Sequence, residues 1–320
     1  MRSTLPQRAW LFSALALTTL SAAPAAKGES LTPELIFQSG FEESCQVVPG
    51  RGSDNDVVGK DATLPGKNDW VEDLERGLGC SFSLQYTGGD ESKRIARIVP
   101  DPVNPRNRVL QFRITDAWVA DGNAVKARVQ ANIYGIRPGL KEFYQSVRVF
   151  LPEDWRALRR YPRGIRWLTI SEFWNNSWWG ADPHGFRITL GLGKPTADES
   201  DLFFILDAED TGRKMVWSAD NHEVKVPIGE WFTLEYYFKE GDSKSGRFYL
   251  AVTPADGRKR VVFDVTNYTH HTTDPAPDGL AHYNPLKLYT SKELVGFMKA
   301  LGKPLEVYWD DFRLWRNRRP

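Results

Sequence analysis

Ten residues near the middle of the chain, Val125–Tyr134, do most to limit what it can fold into. Val125, Ala127, Val129, Ala131 and Ile133 are apolar, and Lys126, Arg128, Gln130, Asn132 and Tyr134 alternate with them. A period of two is a β-strand with one face in a core and the other open. An ordinary solvated face mixes both charges with Thr and Ser. This one has two cations, two amides and a phenol, with no carboxylate. Such donors suit an anionic, hydroxyl-rich ligand; the plainer alternative is a sheet face that is merely polar.

The same grammar recurs. Strands are expected at 35–42, 81–87, 94–99, 108–115, 143–151, 165–174, 184–192, 202–207, 231–238, 247–253 and 305–315. In the fifth, Phe143, Val147 and Val149 form the core face, and Tyr144, Ser146 and Arg148 the other. In 184–192, Phe186, Ile188 and Leu190 go inward, Arg187 and Thr189 outward, and His184 stands at the start. In 247–253, Arg247 and Tyr249 face out. Asp101-Pro102 and Asn104-Pro105 interrupt pairing. Residues 153–163 read as a short helix or loop, and Asn175–Asp182 as a turn exposing Trp178 and Trp179. One helix is expected, Thr290–Leu301: Thr290 and Glu293 make a capping box, Leu294, Phe297, Met298 and Leu301 a stripe, and Gly302 the stop. Many short strands and scarcely any helix predict an all-β sandwich, most economically a jelly roll, with its first and last strands paired.

At 320 residues and 41% hydrophobic content, a single domain over 27–320 buries a full core. The net charge of +1 gives no ground for nucleic acid as a partner. Residues 1–26 read as a signal peptide: Arg2 and Arg8 precede the apolar run Ala9–Leu20 and the small-residue stretch SAAPAA, with cleavage after Ala25 or Ala26. The run is too short to span a bilayer comfortably, and no later segment could. The expectation is a secreted or periplasmic monomer. Its two cysteines, Cys45 and Cys80, are then expected to form one disulfide pinning an irregular loop over 43–80.

The succession KAR-x-Q, FYQSVRVFLPEDW, ISEFWN, HGFRITLGL, GEWFTLEYYF and YWDDFRLW resembles secreted polysaccharide lyases of the concanavalin-like jelly-roll type, which act on alginate, glucuronan or heparin. The likeness runs over roughly 35–315. In those enzymes an Arg-x-Glu-x-Arg strand lines the groove; Arg128, Gln130 and Asn132 stand at that spacing here, with Gln and Asn at its second and third positions. What the resemblance implies is a concanavalin-like β-sandwich jelly roll and cleavage of an acidic, uronate-containing polysaccharide by β-elimination.

Elimination needs a neutralised carboxylate, a base for the C5 proton and an acid for the leaving oxygen. Lys126, Arg128, Gln130 and Arg187 are the expected neutralisers, and Tyr144, Tyr249 and His184 the proton-transfer candidates. Asn132, Arg148, Glu172, Trp174, Trp178 and Trp179 are expected to bind sugar, and no cofactor is expected for catalysis. Two alternatives stand beside this reading. Glu172 and Glu235 could serve a jelly-roll hydrolase, or the tryptophans could stack on sugars in a non-catalytic binding protein. Glu42, Asp310 and Asp311, at the ends of the paired first and last strands, are candidate oxygen ligands for a structural Ca²⁺. Whether the outward faces share one sheet is open at this stage.

Overall fold

Alternation translates into strands almost wherever it is expected. A computed structural model describes residues 32–320 apart from positions 43, 53, 62, 87–91, 118–125, 177–181 and 197–198. The signal peptide, Val125, Trp178 and Trp179 lie outside the described residues. In chain order the strands are β1 (Glu34–Ser39), β2 (Gln46–Pro49), β3 (Asn55–Val58), β4 (Ser81–Gln85), β5 (Arg94–Pro100), β6 (Arg108–Ile114), β7 (Lys126–Tyr134), β8 (Glu142–Phe150), β9 (Leu168–Trp174), β10 (Phe186–Gly193), β11 (Phe203–Asp210), β12 (Met215–Asn221), β13 (Trp231–Lys239), β14 (Arg247–Thr253), β15 (Arg260–Thr266), β16 (His282–Asn284), β17 (Lys287–Ser291) and β18 (Leu305–Arg316). Two short helices join them, α1 (Glu75–Leu78) and α2 (Lys292–Ala300).

One antiparallel sheet runs β15-β14-β13-β8-β18-β6-β5, with β1 also on β18. The other runs β12-β11-β10-β9-β16-β7-β4-β3-β2, and β17 continues the position of β16 between β7 and β9. The first and last strands pair as expected, Ser39 opposite Phe312. The sheets stack as the expected jelly-roll sandwich, and an aromatic cluster joins them. Phe143 of β8 stacks on Phe238 at 5.6 Å and reaches Phe173 of β9 at 6.2 Å and Tyr283 of β16 at 5.3 Å. A second cluster centres on Trp70, which packs at 4.8–5.1 Å against Phe37, Phe82 and Phe312.

Three expectations change. Both cysteines are free: the Cys45 Sγ lies 3.4 Å from the Gly59 carbonyl oxygen and the Cys80 Sγ 3.9 Å from that of Leu74. Each thiol turns to a backbone acceptor of its own neighbourhood, and burial pushes both up to about 12. The segment 43–80 is held by secondary structure instead: the β2–β3 hairpin, and a helical turn whose Asp69 carboxylate accepts from the Val71 and Glu72 N–H groups. The α2 cap is Ser291, whose hydroxyl accepts from the Leu294 N–H at 3.3 Å; Thr290 stays in β17 and donates to the Trp167 carbonyl. Leu294, Val295 and Met298 are buried, while Leu301 is exposed.

Candidate functional site

The β7 strand behaves as its alternation requires. Ala127, Val129, Ala131 and Ile133 are in the core, so Arg128, Gln130, Asn132 and Tyr134 lie on the outer face of the second sheet. Register then places neighbours beside them in rows crossing the strands. Arg128 faces Tyr289 of β17, which faces Thr169 of β9. Gln130 lies between Gln85 of β4 and Lys287. Asn132 meets Asn284 side by side, and Asn284 is followed by Glu172, Thr189 and Asp207. Tyr134 is followed by His282, Trp174, Arg187 and Glu209.

Hydrogen bonds tie these rows into one network. Gln85 Oε1 accepts from Gln130 Nε2 at 2.9 Å and from Arg128 Nη2 at 3.2 Å. The Arg128 guanidinium lies 5.6 Å from the Tyr289 ring centre and the Lys287 ammonium 5.0 Å from it. Lys287 is wholly buried and donates to Glu172 Oε2 at 2.5 Å, which also accepts from Trp174 Nε1 at 3.1 Å. Arg187 sits 3.7 Å from the other Glu172 oxygen and pairs with Glu209 at 2.6 Å. Burial works against ionised Glu172, but Lys287, Arg187 and Arg128 together hold its carboxyl down to about 2. Burial pulls the Lys287 ammonium down, against the pull of Glu172.

His282 bonds Asn132 Oδ1 through Nε2, and its Nδ1 is buried without a partner among the described residues. Burial first, then the Lys287 and Arg128 cations, lower the imidazole to about 4, with Glu172 opposing. The folded protein therefore holds His282 neutral where the unfolded chain, with an ordinary histidine near 6.5, is protonated. This contribution is present above about 6.5 and is lost as pH falls toward 4. Thermal melts should fall in stability across that window, and His282→Gln should flatten the fall. An equally steep fall in the variant would count against it.

Of the expected site residues, the structure brings Arg128, Gln130, Asn132, Glu172, Trp174 and Arg187 onto one face. Lys126 shares the strand, opposite Ser291. Others belong elsewhere. Tyr144, Arg148, Glu235 and Tyr249 are on the opposite sheet, facing away from the core on its far side. There Tyr144, Tyr237 and Tyr249 pack together, with Trp315 against them. Tyr144 donates to Glu235, which also pairs with Lys259 at 2.7 Å. Burial and that bond push the Tyr144 phenol up, the wrong direction for a base. Arg148 pairs with Asp310 at 3.0 Å and lies over Trp231. Glu172 and Glu235 thus stand on different sheets, which removes the paired-carboxylate hydrolase. His184 precedes β10 and lines a cavity of about 620 Å³ at the strand ends with Arg137, Asn175, Asp182, Asp274 and Asp278.

Sequence reasoning missed Lys287, Tyr289, His282 and Asn284. A signal was present: polar residues at 287, 289 and 291 alternate around Leu288 and Thr290, as 282 and 284 do around Tyr283, but Pro285 divides the stretch into two pieces too short to read as a strand.

The expected cation ligands gather at the β1–β18 end. Asp310 is buried; its Oδ2 accepts from Asn107 and Arg148, each at 3.0 Å, and its Oδ1 accepts from the Asp311 N–H. Glu42 accepts from the Arg108 N–H at 3.2 Å. Among the described residues, no group of three His, Cys, Asp or Glu side chains is arranged to hold a metal. No described helix is long and apolar enough to cross a membrane.

No family model matches the chain, and no curated protein is matched. Among solved structures it is similar to the endo-β-1,4-glucuronan lyase of the fungus Trichoderma reesei, at 14% identity over 72% of this chain and 89% of that one, with a TM-score of 0.46. It is similar to the alginate lyase of Aplysia kurodai, at 10% identity over 70% and 87%, with a TM-score of 0.43. It is also similar to a non-specific endo-β-1,3(4)-glucanase of family GH16, at 14% identity over 92% and 95%, with a TM-score of 0.45.

Proposed function

We propose that the chain is a polysaccharide lyase that cleaves an acidic, uronate-containing polymer by β-elimination on the outer face of the second sheet. The observation that carries this reading is the pairing of β7 with β17, which sets Arg128 and Gln130 beside Lys287 and Tyr289. The Arg128 guanidinium and the Gln130 amide would hold the uronate carboxylate and take up charge as the C5 proton leaves. Tyr289 is the proton-transfer group of this face, with neutral His282 as the second. The proton passes from C5 to the base, the C4–O4 bond breaks, a C4–C5 double bond forms, and the departing oxygen takes a proton. Lys287, buried beneath the Tyr289 ring, positions rather than touches. Trp174 offers a ring for stacking beside Arg187, whose guanidinium lies 5.7 Å from its centre.

The test is a panel of alginate, glucuronan, heparinoid and neutral glucan. Elimination yields an unsaturated uronate that absorbs in the ultraviolet. New reducing ends without that chromophore would mean hydrolysis, and retardation in a gel with neither product would mean a binding protein. Either result sinks the lyase reading.

We further propose that Glu42, Asp310 and Asp311, which do not form a ready-made three-ligand site in this structure, close around a structural Ca²⁺, an oxygen-only donor set suited to a hard cation. Repulsion supports it: burial and then the neighbouring Asp311 raise the Asp310 carboxyl to about 7. A chelator should lower the melting temperature and added Ca²⁺ restore it; an unchanged melt removes the ion.

A further inference from the structure

One aromatic ring on the outer face of the second sheet has no part in the chemistry so far. Leu168 begins β9 and is buried in the core, so its neighbour Trp167 turns to the outer face. Pairing fixes its place there. Leu168 faces Thr290 and Thr169 faces Tyr289, and the Thr290 hydroxyl donates to the Trp167 carbonyl at 2.6 Å. The Trp167 ring stands edge-on to that of Tyr289, with 4.9 Å between centres and 83° between planes.

Trp167 is half-buried, and its indole N–H has no hydrogen-bond partner among the described residues. Trp174, by comparison, has its N–H on Glu172 at 3.1 Å, with His282 at 5.2 Å and the Arg187 guanidinium at 5.7 Å against its ring. Two cavities meet at Trp167. One, of about 310 Å³, has Tyr289, Thr169 and Arg187 on its wall. The other, of about 240 Å³, is bordered by Tyr161, Arg163, Ser291 and Glu293. Trp167 and Arg166 line both, so the two lie side by side on one run of surface.

Charge does not select what enters the second cavity. Arg166 is held by Asp220 at 2.5 Å and Asp207 at 3.7 Å. Arg163 donates to the Tyr161 hydroxyl at 2.8 Å, and the Glu293 carboxylate stands on the same wall. The feature left is an aromatic face with an open N–H beside it. That combination fits a sugar: the C–H face of a pyranose lies on the ring while a hydroxyl accepts from the indole.

Resting on the lyase reading, we propose that Trp167 is the platform of a second sugar subsite. It stacks the pyranose next to the one held by Arg128 and Tyr289, and leads the polymer on into the cavity beside Tyr161. The subsite reads the ring and its hydroxyls, so it takes a uronate or an uncharged sugar alike.

The test is a pair of variants. Trp167→Leu keeps an apolar side chain against Tyr289 but has neither a ring face nor an N–H. On whichever of alginate, glucuronan and heparinoid gives the ultraviolet chromophore, it should raise KM about tenfold, the scale on which losing an aromatic anchor weakens binding, with kcat within about twofold of the parent. Trp167→Phe, which keeps a ring, should recover most of that loss. Gel retardation by the same polymer should weaken in the first variant and return in the second. A fall in kcat at unchanged KM would make Trp167 a support for Tyr289 and overturn the platform. So would a parental KM, a lowered melting temperature in Trp167→Leu, or a Trp167→Phe no better than it. Each of these leaves the lyase reading standing. If no polymer gives the chromophore, the lyase reading fails and retardation decides alone: equal retardation of the parent and Trp167→Leu, or of neither, overturns the platform.

Discussion

Arg128→Ala should lower eliminative cleavage by about 10²–10³-fold, the usual cost of removing one preorganised group from a developing charge. Its side chain leaves β7 on the face opposite the buried Ala127 and Val129, so the fold should survive and the melting temperature should hold. Tyr289→Phe should cost about 10²–10⁴-fold, because general acid–base groups contribute on that scale. The informative controls are on the other sheet. Tyr144→Phe and Tyr249→Phe remove hydroxyls that sequence alone nominates equally well, yet both belong to the cluster beneath Trp315. Each should leave the rate at the parental level. A parental rate for Arg128→Ala, or loss of elimination in Tyr144→Phe with an unchanged melt, would place the chemistry somewhere else.

That contrast marks where sequence reading stopped. A period of two tells which side chains of a strand leave the core, and for β7, β8, β10 and β14 it does so correctly. A sandwich has two outer faces, and alternation is blind to which one a strand serves. Arg128 and Arg148 look alike in sequence, but long-range pairing puts one beside Tyr289 and the other beside Asp310. The β17 strand was hidden for a different reason. Pro285 and the start of α2 leave Lys287–Ser291 only five residues, below the length at which alternation stands out, so the sequence gives no clear sign of the groups that complete the site. The cap was misplaced by one residue on the same account: Thr290 is committed to pairing with β9, and Ser291 is the first hydroxyl free to turn toward the helix. The strands that carry the sandwich were legible because each has its own full-length apolar face.

Glu172→Gln should destabilise the protein by about 3–5 kcal/mol, the cost of leaving one member of a buried ion pair without the other. Both side chains are essentially inaccessible. For a domain of this size the melting temperature should fall by roughly 10 °C. Without Glu172, Arg187 keeps Glu209, but Lys287 loses its anionic partner and keeps Asn284 Oδ1 at 3.4 Å and the Tyr289 ring at 5.0 Å. Lys287→Met should cost less, since Glu172 retains Arg187 at 3.7 Å and the Trp174 N–H. The pH dependence separates this account from a general packing defect. Burial depresses the Lys287 pKa below its unfolded value, and removing Glu172 depresses it further. Between the folded and unfolded values the unfolded chain binds the extra proton, so stability of the Glu172→Gln variant rises as pH rises through that window. The parent's own Lys287 loses its charge at about 7, so the gap should narrow as pH rises toward about 7 and stay level above it. Combining Glu172→Gln with Lys287→Met should recover most of the loss, because no unpaired charge remains. A pH-independent gap, or a double variant no better than Glu172→Gln alone, would mean that the pair holds the strands by shape rather than by charge.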